Sequence, residues 1–154
     1  MSYSIDTSAL IQSWHNRYPK ENFPGFWNKL SELVGSGTLV ATEEVKIELD
    51  RKADELLKWA EQQNGFFVQI DDDIQHEVRR ILQNHKKLLD TRKGRSGADP
   101  FVIALAKLRG LTVVTEEGPS RNPIKKPNIP DVCKDLAVKC IRVVDLIKEQ
   151  GWRF

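Results

Sequence analysis

Four acidic residues occupy places in the sequence where carboxylates can do chemistry. Asp6, Glu48, Asp99 and Glu117 each lie after an apolar run with strand character or on a helical segment. Because ligands of open α/β sheets bind at the carboxyl edge of the strands, we expect the four side chains to gather there. Clustered carboxylates without His or Cys suit Mg²⁺ or Mn²⁺, and without a cation their repulsion raises their pKa values. The pattern therefore indicates a divalent metal site.

Simpler structural roles remain open for three of these acids. Asp6 precedes Thr7 and Ser8 at a helix start and could serve only as a cap, and Asp99 stands before Pro100 in an ordinary start signal. Glu48 has Lys52 four residues later, a spacing that forms solvated ion pairs on helices. The acids at 71–73 open another helix, where capping and the helix dipole account for them.

The elements that must position these acids alternate between strand and helix. Apolar runs predict strands over residues 3–5, 38–41, 66–70, 111–115 and 138–144. Helical spacing predicts helices over 9–14, 26–34, 43–63, from 71 onward, 101–109 and 145–150, with a helical turn at 131–136. Such alternation is typical of an α/β fold, here a three-layer α/β/α sandwich with a central parallel sheet.

Length and composition fit an ordinary globular chain. With 154 residues, 40% hydrophobic and 30% charged, we expect one domain over 1–154. No apolar run approaches the ~20 residues of a membrane helix, and the first residues lack a signal-peptide pattern, so we expect a cytoplasmic protein with no membrane contact. Cys133 and Cys140 are expected to be free thiols. A net charge of +2 does not by itself indicate a nucleic-acid binder.

One segment concentrates positive charge. From Lys86 to Arg95 there are five basic residues against one acid, and the run ends in a glycine-bearing loop before a helix. Such a loop attracts phosphates, although a charge run can equally be a solvated surface. A second, proline-rich loop over 118–130 also carries three basic side chains.

Around its acids the chain resembles the PIN domains, including the VapC type of toxin ribonuclease. The resemblance extends from Tyr3 to Val144 and rests on four segments, residues 5–8, 45–49, 99–106 and 113–117. The fourth acid of the pattern is ordinarily Asp, whereas this chain has Glu117, so Glu116 and Asp131 remain alternatives for that role. The run Ile-Pro-Asp-Val-Cys at 129–133 is similar to a less characterised PIN-like branch.

The resemblance implies a PIN-like fold and a Mg²⁺- or Mn²⁺-dependent endoribonuclease that hydrolyses phosphodiester bonds, the toxin of a toxin-antitoxin pair. Asp6, Glu48 and Asp99 would hold one ion directly or through water, and Glu117 would help a second. Other residues support them. Thr7, Ser8 and Thr115 would orient the ligands, and Arg92, Lys93 and Arg95 would hold the RNA backbone. RNA, an antitoxin protein and a second copy of the chain are the partners expected.

Two other functions are consistent with the same residues. A non-catalytic PIN-like module would bind nucleic acid or a protein partner, and the glutamate in place of aspartate at 117 favours it. A phosphoryl-transfer domain would accept phosphate on Asp6, but that chemistry needs a second acid beside it, where the sequence has Thr7 and Ser8.

Overall fold

The computed structural model describes residues 1–88 and 97–154, and its centre is a parallel sheet. In this part of the chain five strands lie in the order β3-β2-β1-β4-β5, and every neighbouring pair is parallel. They are β1 (Tyr3–Ile5), β2 (Leu39–Thr42), β3 (Phe67–Val68), β4 (Thr112–Val114) and β5 (Cys140–Ile141). The predicted α/β class with a central parallel sheet is confirmed.

Helices connect the strands. They are α1 (Thr7–Gln12), α2 (Pro24–Gly35), α3 (Glu43–Lys52), α4 (Asp54–Glu61), α5 (Asp72–Asn84), α6 (Asp99–Arg109), α7 (Ile129–Asp135) and α8 (Val143–Gln150). Two short turns complete the set, a π-helical turn at Ser13–Arg17 and a 3₁₀ turn at Lys86–Leu88. Because β1 and β2 run directly into α1 and α3, the helix starts lie at the carboxyl edge of the sheet.

The helix predicted over 43–63 is wrong in one respect, because it is two helices. Ala53 has a non-helical backbone (φ −157°, ψ 80°) between α3 and α4, although its carbonyl accepts the Leu57 N–H at 2.8 Å. The break lets α4 turn its own apolar side to the core, where Trp59 meets Trp27 with ring centroids 4.9 Å apart. Tertiary packing has overridden local helical periodicity here.

Two further boundaries differ from prediction. The last strand covers only Cys140–Ile141 of the predicted 138–144, and α8 begins at Val143, because the carboxylate of Asp145 accepts the N–H of Arg142 at 3.1 Å and closes the helix start there. The first helix begins at Thr7 and passes from Gln12 into the π-helical turn.

The core lies between the sheet and helices on both of its faces. Helix α6 is buried from Val102 to Ala106, as its apolar sequence predicts, and the Ser4 hydroxyl ties it to β1 by donating to the Val102 carbonyl at 3.0 Å. Across the molecule, Phe26 and Trp27 are buried, and edge-to-face aromatic contacts of this kind add about 0.5–1.5 kcal/mol each to area burial. Within the described ranges, no helix is long and apolar enough to cross a membrane.

Candidate metal centre

Three of the four predicted acids meet at the carboxyl edge of the sheet. Asp6 follows β1, Asp99 opens α6 and Glu117 follows β4; each offers a carboxylate oxygen, and these oxygens lie within 4.8 Å of one another. Asp6 and Asp99 are 2% and 4% exposed, so both carboxylates are held inside the protein. The adjacent parallel strands explain the meeting, since the Asp6 N–H bonds the Val114 carbonyl at 2.8 Å.

Two hydroxyls hold the Asp6 carboxylate in place. Ser8 and Thr115 both donate to its Oδ2, at 2.6 and 2.9 Å, and their own oxygens lie 3.1 Å apart. Burial raises the pKa of Asp6, while the hydrogen bonds from Ser8 and Thr115 oppose that rise. Neutral hydroxyl donors therefore fix the orientation of the Asp6 carboxyl group.

Glu48 lies beside the cluster of Asp6, Asp99 and Glu117. Its side chain is buried on α3, and its Oε1 accepts the Thr7 hydroxyl at 2.9 Å. Since Thr7 directly follows Asp6, this bond joins α3 to the start of α1 at the acidic edge. A role for Glu48 as a metal ligand, direct or through water, stays a prediction.

The consecutive glutamates after β4 point to different partners. Glu116 accepts the Val143 N–H at 3.0 Å and lies 3.5 Å from the Arg142 guanidinium. Glu117 instead accepts the Ile129 N–H on its Oε2 at 3.0 Å and contributes to the three-acid cluster. Of the residues considered for the fourth acid, Glu117 is thus the one placed with Asp6 and Asp99.

Asp131 has a local structural task. Its Oδ2 accepts the N–H groups of Asn128 at 2.8 Å and Ser120 at 3.0 Å, so it caps α7 and closes the proline-rich loop. Asp71 likewise caps α5, with its carboxylate accepting the Ile74 N–H at 2.8 Å, as expected for the acids at 71–73.

Two arginines that sequence reasoning missed line a cavity at the mouth of the cluster. The cavity holds about 370 Å³ and is bordered by Ser8, Gln12, Arg17, Glu116, Glu117 and Arg142. Arg142 is committed to Glu116, whereas within residues 1–88 and 97–154 the Arg17 guanidinium makes no ion pair. No periodic signal marks Arg17. It ends the π-helical turn, closed by the Tyr18 N–H to the Ser13 carbonyl at 2.7 Å, and such turns are frequent at functional sites.

The three-acid cluster fits a hard divalent cation. Its donors are all carboxylate oxygens, and two ligands on opposite sides of such an ion lie about 4–5 Å apart, given metal–oxygen distances of roughly 2.0–2.6 Å. Asp6, Asp99 and Glu117 are the residues that would hold it. The predicted RNA contacts Arg92, Lys93 and Arg95 fall in 89–96, outside the described residues.

The sequence matches one family profile over almost its whole length. The profile is described as a domain of unknown function, DUF4411, and it covers residues 3–154. Comparison with curated protein sequences finds no match to this chain.

Among the solved structures that share the fold are VapBC and FitAcB. One is the crystal structure of DNA-bound VapBC from Salmonella typhimurium, which is 18% identical, with a TM-score of 0.55 and coverage of 92% of this chain and 98% of that one. The other is FitAcB from Neisseria gonorrhoeae, 16% identical, with a TM-score of 0.53 and coverage of 90% and 96%. At these identities the likeness concerns the fold, and it confirms the predicted PIN-like, VapC-type architecture.

Proposed function

Since this chain belongs to the DUF4411 family, whose description assigns no activity, we propose from its site that it is a metal-dependent endoribonuclease. The single observation that carries the proposal is the cluster of Asp6, Asp99 and Glu117, whose oxygens lie within 4.8 Å of one another at the carboxyl edge of the sheet. Two buried carboxylates and a half-buried one converging in this way are costly unless a cation is bound there. Phosphodiester hydrolysis is the reaction that such a cation supports best.

The roles of the side chains follow from their contacts. A bound Mg²⁺ or Mn²⁺ supplies activation of a water molecule and neutralisation of charge on the phosphate oxygens. Asp6, Asp99 and Glu117 hold the cation, with Ser8 and Thr115 keeping Asp6 in one orientation through their hydroxyl donors. Such supporting bonds are worth 10- to 100-fold in metal affinity or activity.

The mouth of the cluster offers a contact for the substrate. Arg17 is exposed in the same cavity as Glu117 and Ser8, and a guanidinium can donate two parallel hydrogen bonds to a phosphate. We assign Arg17 to the phosphate next to the bond that is cleaved. RNA as the substrate class is an inference from the PIN-like architecture together with this cavity.

The architecture also supports a place in a toxin-antitoxin pair. VapBC and FitAcB are among the structures of similar fold, and they cover 92% and 90% of this chain. By analogy, we propose that this chain is a toxin that binds an antitoxin protein, and that residues 1–154 act as one PIN-like domain. A second copy of the chain as partner stays a prediction, which sedimentation of the purified chain checks.

Cleavage of an RNA pool tests the nuclease proposal. Purified chain is incubated with mixed tRNA and structured RNA in Mn²⁺, in Mg²⁺ and in chelator, beside Asp6→Asn and the control Asp73→Asn, an exposed acid in the first turn of α5. We expect metal-dependent cutting by the wild type and the control and none by Asp6→Asn. Equal behaviour of the wild type and Asp6→Asn would contradict the proposal.

A non-catalytic module is the second candidate, favoured by the longer Glu117 side chain where PIN domains ordinarily have Asp. Calorimetric titration with Mn²⁺ separates the two. Binding by the wild type that is lost in Asp6→Asn supports the nuclease, whereas no binding by either protein supports the module.

A further inference from the structure

A basic groove lies between the end of α5 and the proline-rich loop. It holds about 610 Å³, and its walls come from the 3₁₀ turn on one side and from the loop and α7 on the other. The residues that matter for its chemistry are His85, Lys86, Lys87, Pro127, Asp131 and Lys134.

The positive charges of the groove are available to a ligand, and one of its two acids, Asp131, is held by backbone N–H groups. Lys86, Lys87 and Lys134 are exposed, and among the described residues none of them forms an ion pair. Asp131 is occupied by two backbone N–H groups, and Asp135 lies 3.7 Å from the His85 ring. The groove therefore presents three ammonium groups beside two carboxylates, and the free donors in it are the ammonium groups, which favour an anion.

The loop wall of the groove is held in one shape. Besides the two bonds to Asp131, the Asn128 side chain donates to the Gly118 carbonyl at 2.9 Å, which joins the two ends of the loop. Pro123 and Pro127 restrict the backbone between those ends. A wall fixed before binding loses little entropy when a ligand enters.

One hydrogen bond links the loop wall of the groove to the acidic cluster. Glu117, one of the three clustered acids, accepts the N–H of Ile129, and Ile129 stands between two groove residues, Pro127 and Asp131. The same loop that forms one wall of the groove is therefore attached to the candidate metal centre through Glu117.

We propose that this groove binds the phosphodiester backbone of the RNA substrate on one side of the cleaved bond, with Lys86, Lys87 and Lys134 as the phosphate contacts. The inference rests on the proposed function for the identity of the ligand. It goes beyond the acidic site by assigning a separate binding surface. Ammonium groups on flexible stems suit this task because they follow a backbone without reading its bases.

The groove is tested by a binding assay in which no cleavage takes place. Fluorescence anisotropy measures the affinity for a fluorescein-labelled uridine 20-mer in chelator, at salt concentrations from 50 to 200 mM. The variant is Lys86→Gln/Lys87→Gln, with Lys134→Gln as a second one. The matched control is Arg51→Gln/Lys52→Gln, two exposed cations at the far end of α3, which begins at the acidic edge. Thermal unfolding checks that all variants are folded.

We expect the slope of log affinity against log salt to fall by about 1.4 in the double variant, since each phosphate contact on a single strand contributes roughly 0.7. Lys134→Gln should lose about half as much, and the control should match the wild type. The proposal would be overturned by an unchanged slope in Lys86→Gln/Lys87→Gln. It would equally be overturned by an equal loss of slope in the control, or by no binding of the 20-mer by the wild type.

Two comparisons separate this proposal from binding of an acidic protein segment and from the nuclease proposal. Polyglutamate at equal charge should not displace the 20-mer, and displacement as efficient as by unlabelled RNA would overturn RNA as the ligand in favour of an acidic protein segment. The binding assay contains no divalent cation and therefore does not depend on cleavage. A wild type that binds RNA through the groove here, but cuts no RNA in the cleavage assay with Mn²⁺ or Mg²⁺, would support the groove and overturn the nuclease.

Discussion

At the residue scale, the consecutive glutamates show how contacts assign roles. Glu116 is held by Arg142 and the Val143 N–H, whereas Glu117 joins Asp6 and Asp99. We predict that Glu117→Gln lowers metal-dependent cleavage by about 100-fold or more, because losing several kcal/mol of charge stabilisation has that effect. Calorimetry with Mn²⁺ should show weaker binding by this variant.

Glu116→Gln is the matched control for this change. It weakens the tie to Arg142 and should lower stability by about 1–3 kcal/mol, measured by denaturant unfolding, with Mn²⁺ affinity unchanged. If metal binding were instead lost in Glu116→Gln and kept in Glu117→Gln, Glu116 would be the metal ligand and Glu117 would have the structural role.

Arg17 is the other residue whose role can be isolated. Arg17→Met should raise the KM for RNA by about 10-fold or more, since a hydrogen bond to a charged group contributes about 1.5–3 kcal/mol. Mn²⁺ affinity should not change, because the side chain belongs to the mouth of the cavity and not to the cluster. Arg17→Lys should recover part of the loss, and steady-state cleavage rates measure all three proteins.

Arg51→Met is the control for Arg17, because it removes another exposed guanidinium, from the end of α3. A KM for Arg17→Met equal to that of the wild type would remove Arg17 from substrate binding.

At the scale of elements, the proline-rich loop depends on one carboxylate. Asp131→Asn weakens the acceptor of the Ser120 and Asn128 N–H groups. The free energy that favours the closed loop over the opened loop should fall by about 1–3 kcal/mol. Tryptic cleavage after Arg121 or Lys125 should become about 5- to 100-fold faster, since proteolysis follows the population of the opened loop. Mass spectrometry of timed digests locates the cuts.

Asp135→Asn, on the same helix but outside the loop, should be cut at the wild-type rate. If Asp131→Asn is as resistant as the wild type, the loop is held by other contacts, and a preformed wall for the groove loses its main support.

At the scale of the whole molecule, the buried carboxylate makes stability depend on pH. Burial raises the pKa of Asp6, so from about pH 4 upward the folded chain retains a proton that the unfolded chain has lost. Stability from this group is therefore present at low pH and is lost as pH rises toward the folded-state pKa. Asp6→Asn lacks this titrating group. Without metal, the melting temperature of the variant minus that of the wild type should therefore increase as pH rises.

Thermal unfolding in chelator between pH 4 and 8 measures this difference, and a difference constant across the range would contradict it. Added Mn²⁺ at pH 7 should raise the melting temperature of the wild type above that of Asp6→Asn, because a ligand at 100 times its Kd stabilises the folded state by about 2.7 kcal/mol. Asp6→Asn should gain little from the metal.

Much of the architecture followed from local patterns. Apolar runs marked the strands, and the acids after β1 and β4 were expected at one edge because parallel strands end together there. Strand bounds held best for β1, whose residues are all buried. The α/β class could thus be expected from periodicity and element order, which are local properties of the chain, whereas the PIN-like fold was expected from the resemblance of its four acidic segments.

Tertiary contacts decided the rest. The helix break at Ala53 and the π-helical turn that ends at Arg17 depend on packing between distant segments, such as Trp27 against Trp59. The choice of Glu117 over Glu116 depends on N–H groups from α7 and α8, which lie 12 and 27 residues away in sequence. By itself, then, the sequence indicated which acids follow strands or open helices near the carboxyl edge of the sheet. The fold decided which of them face one another, because side-chain direction is set by partners that no local pattern contains.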